Sequence, residues 1–181
     1  MVFGHIFGKR ENMRYPCFMR ILGIDPGLAT VGIGLIESSG ANDLHCLEWL
    51  TIETPAGMPL PNRLTEIAQD LTQLISDTKP DLAVIEQLFF ATNARTAIDV
   101  AQARGVIVCT VAQAGIPMVE PTPLQMKLAI TGDGQADKLQ VQTMLLHLLH
   151  LKEIPKPDDA ADALALAIYG SLQQSQFSVL V

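Results

Sequence analysis

Several features that would place the chain in a specialised structural class are missing from its 181 residues. The three cysteines, Cys17, Cys46 and Cys109, have no paired spacing. Their positions exclude a sequence-evident zinc site or disulfide framework and fit a reducing cytoplasm. The chain has no repeats, and no apolar run reaches the roughly 18 residues of a membrane span. We therefore expect a globular cytoplasmic protein with no membrane partner.

Basic residues are also scarce. The chain has 12 Lys and Arg residues against 19 Asp and Glu residues, for a formal net charge of −7. Nucleic-acid binders usually have a basic surplus, so any such role must depend on a local group of positive side chains. Residues 1–19 mix charges and aromatics and lack the continuous apolar segment of a signal peptide. We expect them to form a poorly ordered N-terminal extension.

Apolar residues, in contrast, are abundant. They make up 49% of the chain, and charged residues only 17%, which predicts one globular domain. We place this domain at 20–172, followed by a tail at 173–181. The pattern predicts strands at "RILGID", 31–37, 45–53, "DLAVIE" and "IPMVEP". Helices are predicted before Pro80, over 93–114, within 123–149 and from about Pro157 onward. This order indicates an α/β fold, with a mixed sheet flanked by helices.

Four acidic residues stand where these predicted elements begin or end. Asp25 closes the first strand and Glu86 closes "DLAVIE", and sites in open α/β sheets form beyond the carboxyl ends of strands. Asp159 and Asp162 share one face of the last helix, whose small and apolar remainder should pack on the sheet. Converging carboxylates repel one another unless divalent cations neutralise them. The acids therefore predict a two-ion site that activates water for phosphodiester hydrolysis.

Each acid also has a purely structural interpretation. Asp25 precedes Pro-Gly, a common turn sequence, and Asp158 or Asp159 could cap a helix N-terminus. We interpret three other acids as solvated loop or cap residues: Asp133, Asp137 and Asp158.

The predicted helix over 93–114 is apolar almost all round, with apolar residues from Ile98 to Ala112. A helix of this kind is buried on all sides. One side can lie on the sheet, while Gly105 and the alanines would let a second copy approach the other side, which predicts a two-fold homodimer. Burial under the C-terminal helices is the alternative.

Four sequence blocks between Arg20 and about Gly170 resemble, in order, the motifs of the RuvC family of bacterial Holliday-junction resolvases. They are "ILGIDPGLATVGIGLIE", "AVIEQLFFATNARTAIDVAQARG", "GDGQADKLQVQ" and "DDAADALALAI". The resemblance implies an RNase H-like fold and a homodimer that makes paired symmetric nicks in four-way junction DNA during recombination and repair. It also implies Mg²⁺ as cofactor, with two ions per site and Mn²⁺ as a substitute, and the RuvA–RuvB branch-migration complex as partner.

The resemblance also implies roles for individual residues. The catalytic, metal-binding acids would be Asp25, Glu86, Asp159 and Asp162, with Asp25 bridging the ions. The DNA-binding residues implied in this way would be Phe89, Lys127 and Lys138. From charge rather than from the resemblance, we add Arg95 as a DNA-binding residue and expect Arg95, Arg104, Lys127 and Lys138 to form a local positive strip. From the residues alone, each lysine could be an ordinary exposed helix residue, and Phe89 could belong to the core.

We therefore expect a Mg²⁺-dependent crossover junction endodeoxyribonuclease in which a metal-activated water attacks the scissile phosphate. Three other functions stay open on sequence grounds. They are an actin-like ATPase or sugar kinase, a non-catalytic junction-binding module, and an RNase H-like nuclease that cuts RNA–DNA hybrids.

Overall fold

The computed structural model describes residues 18–40, 43–87 and 94–173, with the side chains of residues 94–96 excepted. Most of the predicted extension and tail, at 1–17 and 174–181, lies outside these ranges, so both remain predictions. The first strand begins at Met19, one residue before the predicted domain start. Within the described ranges, no helix is long and apolar enough to cross a membrane.

The secondary structure follows the predicted order. In chain order the elements are β1 (Met19–Asp25), β2 (Thr30–Gly40), β3 (Asp43–Glu53), α1 (Leu60–Thr78), β4 (Leu82–Ile85), α2 (Ala94–Gln113), β5 (Met118–Val119), α3 (Pro123–Thr131), α4 (Lys138–Leu148) and α5 (Asp158–Leu172). Helices α3 and α4 each begin at a capping box, formed by Thr122 with Gln125 and by Asp137 with Gln140. The structure thus confirms Asp137 as a cap residue.

The five strands form one mixed sheet in the order β3-β2-β1-β4-β5. Strand β1 pairs antiparallel with β2 and parallel with β4, which in turn pairs parallel with β5. All four residues of β4 are buried, as its continuous apolar sequence predicts for a strand covered on both faces.

Different helices cover the two faces of the sheet. Helices α1 and α2 pack on the face that carries Ile24 and Ile85. Helices α3, α4 and α5 cover the face that carries Ile21 and Val84. Because side chains alternate along a strand, Asp25 and Glu86 point to the face covered by α5, like Ile21 and Val84.

Helix α5 lies directly on β1 and β2 because glycines leave room for its backbone. A Cβ atom on Gly23 would lie 1.9 Å from the Ala163 carbonyl oxygen, and one on Gly34 would lie 2.5 Å from the Leu164 nitrogen. Both separations are far below van der Waals contact, so a larger side chain at either position would push α5 off the sheet. The structure confirms that the apolar last helix packs on the sheet.

Within one chain, helix α2 is buried on one side and exposed on the other. Ala103, Ile107 and Val111 are fully buried on the α1 side. Exposed positions on the other side include Asp99 and Gln113 and a series that recurs every three or four residues, called here the α2 stripe: Ile98, Gln102, Gly105, Cys109 and Ala112. Burial under the C-terminal helices is wrong, because α3, α4 and α5 cover the opposite face of the sheet.

Candidate active site

Two of the predicted acids are neighbours at the ends of adjacent parallel strands. Asp25 is the last residue of β1, and Glu86 follows directly after β4. The Glu86 N–H donates to the Ile24 carbonyl oxygen at 3.4 Å, which continues the β1–β4 register to this pair. The parallel pairing therefore places both side chains at one edge of the sheet and on one face.

The other two acids, Asp159 and Asp162, lie on α5, which packs on the sheet. Asp25 pairs with Gly32 across the β1–β2 ladder, and a Cβ on Gly32 would lie 2.0 Å from the Asp159 carbonyl oxygen. The absence of a side chain at Gly32 thus lets the first turn of α5 reach the end of β1. Asp162 follows three residues later on the same helix face.

A cavity of about 240 Å³ opens at this edge. Asp25, Glu86 and Asp162 line it together with Lys127 from α3 and Lys138 from α4. Asp159 does not line this cavity, although its charge acts on Asp25. The fold therefore gathers three of the four predicted acids and both predicted lysines around one cavity.

Burial and mutual repulsion raise the pKa values of these carboxyl groups and so favour their proton-bound state. Burial, followed by the charges of Glu86, Asp162 and Asp159, raises the pKa of Asp25 from 3.8 to about 7. Burial and the charge of Asp162 raise the pKa of Glu86 from 4.5 to about 7. The pKa of Asp162 is also raised, mainly by burial, against the lowering effect of Lys138. The site is therefore short of positive charge.

The donor set suits a hard divalent cation, which prefers carboxylate oxygens. Such an ion would supply the charge that the raised pKa values call for. The side chains are not drawn together as a preformed ligand group: within the described residues, no three His, Cys, Asp or Glu side chains are arranged to hold an ion. Bringing the carboxylates closer costs repulsion, which an arriving cation removes.

Lys138 is bound on both sides by acids of α5. Its Nζ lies 3.3 Å from Asp162 Oδ2 and 3.2 Å from Asp158 Oδ2. Gln142 Nε2 donates to the other Asp158 oxygen at 3.2 Å, and the Lys138 hydrogen bond and charge lower the pKa of Asp158. Asp158 is exposed at the helix start, as predicted. Its ion pair with Lys138 was not predicted.

Arg104 lies behind Glu86 rather than in a positive strip. Its Nε donates to the Glu86 carbonyl oxygen at 2.9 Å, and its guanidinium pairs with Glu120. With only 18% of its side chain exposed, Arg104 fixes the backbone at the end of β4. The predicted strip is therefore wrong for Arg104.

Two predicted DNA contacts cannot be placed. Phe89 lies outside the described residues, and so does the side chain of Arg95, although its backbone belongs to α2. Both remain predictions.

The sequence contains one further pattern, formed by glycines, that the prediction from the acids left out. Gly23, Gly32 and Gly34 recur on one face of two neighbouring apolar strands, and glycine in a strand marks the close approach of another backbone. That pattern could have located the strands on which α5 lies. No comparable local pattern pairs Asp158 with Lys138 or Arg104 with Glu86, because these contacts join distant parts of the chain.

Comparison with known proteins agrees with this geometry. The family model described as crossover junction endodeoxyribonuclease RuvC matches residues 21–170. The chain belongs to the RuvC family. A RuvC from Syntrophomonas wolfei is 51% identical over 150 residues, which cover 83% of this chain and 87% of the relative. A RuvC from Synechococcus is 49% identical over 156 residues, which cover 86% of this chain and the whole relative.

Solved RuvC structures share the fold. The Thermus thermophilus RuvC structure superposes with a TM-score of 0.80 at 30% identity, covering 88% of this chain and 97% of that one. The same protein in complex with Holliday junction substrate gives a TM-score of 0.83. The yeast mitochondrial Holliday junction resolvase, at 14% identity and a TM-score of 0.63, shares the fold alone. The predicted RNase H-like class is confirmed, and the ATPase or sugar kinase alternative is removed.

Proposed function

We propose that this protein is a Mg²⁺-dependent crossover junction endodeoxyribonuclease that resolves four-way DNA junctions in recombination and repair. The observation that carries the proposal is the cavity where Asp25, Glu86 and Asp162 meet beneath the first turn of α5. Membership of the RuvC family and the likeness to a RuvC solved with a Holliday junction support the substrate.

The four acids have distinct positions in the proposed reaction. Asp25, which is buried and repelled by the charges of Glu86, Asp162 and Asp159, would be the central ligand of the proposed ions, with Glu86, Asp159 and Asp162 as further ligands. When bound there, divalent ions such as Mg²⁺ or Mn²⁺ would activate the attacking water and neutralise the leaving oxygen. Attack on the phosphorus breaks its bond to O3′ and leaves 5′-phosphate and 3′-hydroxyl ends.

Lys127 and Lys138 line the same cavity and are proposed to meet phosphates of the scissile strand. A fixed positive charge there offsets negative charge that develops on the transferring phosphoryl group. We assign Phe89 to stacking on a base near the junction centre on the strength of the family resemblance. Arg95 is assigned to a backbone phosphate because of its positive charge.

The α2 stripe is proposed as the homodimer interface. It is apolar or small at four of its five positions, and Ile98 is 66% exposed. Its spacing of three and four residues gives one seam along the helix, and a Cβ on Gly105 would meet nothing within 4 Å, which leaves room for a second helix. A two-fold pair would present two active sites to a four-way junction.

The family resemblance also supports a role in the bacterial cytoplasm, downstream of the RuvA–RuvB branch-migration complex. Co-purification of the three proteins on a synthetic junction tests this partnership. Loss of RuvA–RuvB from the complex when this chain binds would contradict it.

The proposed activity is tested with a synthetic four-way junction, a linear duplex and an RNA–DNA hybrid, each with and without Mg²⁺. We expect paired nicks in the junction alone and only with the ion. Cleavage of the hybrid instead would favour the RNase H-like alternative, and binding without any cleavage would favour a non-catalytic module.

The substitution Asp25→Asn tests the site itself. It keeps the side chain's shape but removes the charge, so we expect cleavage to fall by at least about a thousandfold while junction affinity stays within about twofold. Asp70→Asn, an equal change of charge at an exposed position of α1, should leave both unchanged. Persistent cleavage by the Asp25 variant would place the active site elsewhere.

A further inference from the structure

Asp158 is an exposed acid that the proposed four-acid site does not use. It is the first residue of α5 and directly precedes Asp159. Both of its carboxylate oxygens nevertheless have partners on α4: Gln142 Nε2 at 3.2 Å from Oδ1 and Lys138 Nζ at 3.2 Å from Oδ2. A helix-start residue that serves only to be solvated would not make these contacts. A function of the Asp158 carboxylate would account for them.

Lys138 lies between two carboxylates, of which only one, that of Asp162, is a proposed metal ligand. Its Nζ is 3.3 Å from Asp162 Oδ2, and Asp162 belongs to the acids proposed to bind metal. A divalent ion at Asp162 would compete with the ammonium for the same carboxylate and repel it. Once an ion binds, Asp158 is the remaining carboxylate that the structure places against Lys138.

The hydrogen bond from Gln142 restricts the position of the Asp158 side chain. Gln142 is buried, with 9% exposure, and lies one turn after Lys138 on α4, so both side chains share one helix face. Its amide continues to hold Asp158 Oδ1 when Lys138 leaves Asp162. The Asp158 carboxylate is therefore positioned by α4 independently of the ammonium that it attracts.

We propose that Asp158 is a positioning residue that keeps the Lys138 ammonium at the rim of the acid cavity when Asp162 binds a divalent ion. Held there, Lys138 faces a DNA phosphate without having to be ordered first, which lowers the entropic cost of that contact. The inference rests on the proposed function and adds to it a residue outside the four acids. It also makes a further statement about the ion: Asp158 eases metal binding by drawing Lys138 away from Asp162.

The test substitution is Asp158→Asn, which keeps an oxygen for Gln142 and removes the charge that attracts Lys138. Lys138 then pairs with Asp162 alone, so Mg²⁺ affinity measured by calorimetry without DNA should fall about three- to tenfold. At saturating Mg²⁺ the single-turnover cleavage rate should fall by about the same factor, because Lys138 is no longer held. Junction affinity without metal should stay within about twofold.

A double-mutant cycle with Lys138→Gln separates positioning from a direct charge effect. If Asp158 acts through Lys138, Asp158→Asn in the Lys138→Gln background should change metal affinity and cleavage no more than the control Asp70→Asn does. Asp158→Glu, which restores a carboxylate, should recover most of the cleavage rate. The metal-free melting temperature should barely move, since exposed ion pairs contribute little to stability.

Two results would overturn the inference. In one, Asp158→Asn is indistinguishable from Asp70→Asn in the native background; in the other, its full effect persists with Lys138→Gln, which would make Asp158 a ligand or a bulk charge. Failure of the proposed function looks different, because the unmodified protein would then neither bind Mg²⁺ nor cut the junction.

Discussion

The Asp25 carboxyl group is subject to opposing demands of fold and function. Its strand position buries it beside Glu86, where an ionised carboxylate is poorly solvated and repelled. The folded protein avoids that cost by keeping the proton, with the pKa of both groups raised to about 7. A divalent ion would give the same relief with the carboxylates ionised, so the proposed metal binding would be linked to proton release at this site.

This linkage predicts how stability depends on pH without divalent ions. Between about pH 4 and pH 7 the folded chain holds protons at Asp25 and Glu86 that the unfolded chain has released. The contribution of these groups to stability therefore falls as pH rises through this window. Asp25→Asn removes one of the charges, so at about pH 8 the metal-free variant should melt a few degrees above the unmodified protein. Near pH 4 the two melting temperatures should converge.

Mg²⁺ should reverse the order of the two melting temperatures, because the ion stabilises the intact acid cluster and finds a weaker site in the variant. Differential scanning fluorimetry over the pH range, with and without the ion, measures both effects, and Asp70→Asn is the matched control. An Asp25→Asn variant that is less stable than the unmodified protein at pH 8 without metal would refute the assigned electrostatics.

Among the elements, α5 couples packing to the site. Its backbone rests on Gly23, Gly32 and Gly34, and its first turn delivers Asp159 and Asp162 to the end of β1. The close approach that fills the core on this face is therefore the same contact that assembles the acids. Stability and metal binding should consequently be lost together when it is disturbed.

The substitution Gly32→Ala tests this coupling. The new Cβ would lie 2.0 Å from the Asp159 carbonyl oxygen, so α5 must shift, at a cost of about 1–3 kcal/mol for overpacking. We expect a lower urea midpoint and a smaller rise in melting temperature with Mg²⁺. Gly57→Ala, where a Cβ meets nothing within 4 Å, is the control and should preserve both values. Wild-type metal response in the Gly32 variant would argue against α5 as the element that sets the site.

At the scale of the whole molecule, the exposed α2 stripe lies across the sheet from the acid cavity. The cavity belongs to the α5 face, whereas α2 packs with α1 on the other. Pairing through α2 would therefore leave both cavities open to DNA.

Gly105→Glu should separate chain stability from dimerisation. Within one chain the new side chain meets no obstacle at its Cβ, and replacing a helix glycine gains about 1 kcal/mol. Two such charges facing each other across a two-fold seam repel, so light scattering should report monomers, and junctions should be nicked on one strand at a time. Gly105→Ala, which keeps the seam narrow and neutral, should remain dimeric. A dimeric Gly105→Glu protein would rule out this interface.

Junction binding should depend strongly on salt despite the net charge of −7. If each of two copies neutralises two phosphates through Lys127 and Lys138, four contacts predict about a hundredfold loss of affinity between about 50 and 200 mM salt. Fluorescence anisotropy with a labelled junction and the Asp25→Asn variant measures this without cleavage. Equal affinity at the two salt concentrations would exclude lysine–phosphate contacts as the main source of binding.

Sequence periodicity predicted the type and order of the elements well, because alternation and helical spacing are local properties. Where the prediction was incomplete, tertiary contacts determined the length of the strand or the side of the helix that is buried. The strand predicted at "IPMVEP" is reduced to Met118–Val119 at the edge of the sheet. Helix α2 looked uniformly apolar, yet Ile98 faces outward and Ile107 inward, since composition does not indicate which side a neighbouring helix covers.

The sequence by itself determined the class of fold and the family and predicted the four acids, since these depend on residue types at the ends of recognisable elements. Only the tertiary structure decided that α5 lies on glycines above Asp25, that Arg104 holds the backbone of Glu86, and that Lys138 is shared between Asp158 and Asp162. These contacts join residues 18 or more positions apart, and they form only when long-range packing brings separate elements to one edge of the sheet. Local spacing does not carry that information.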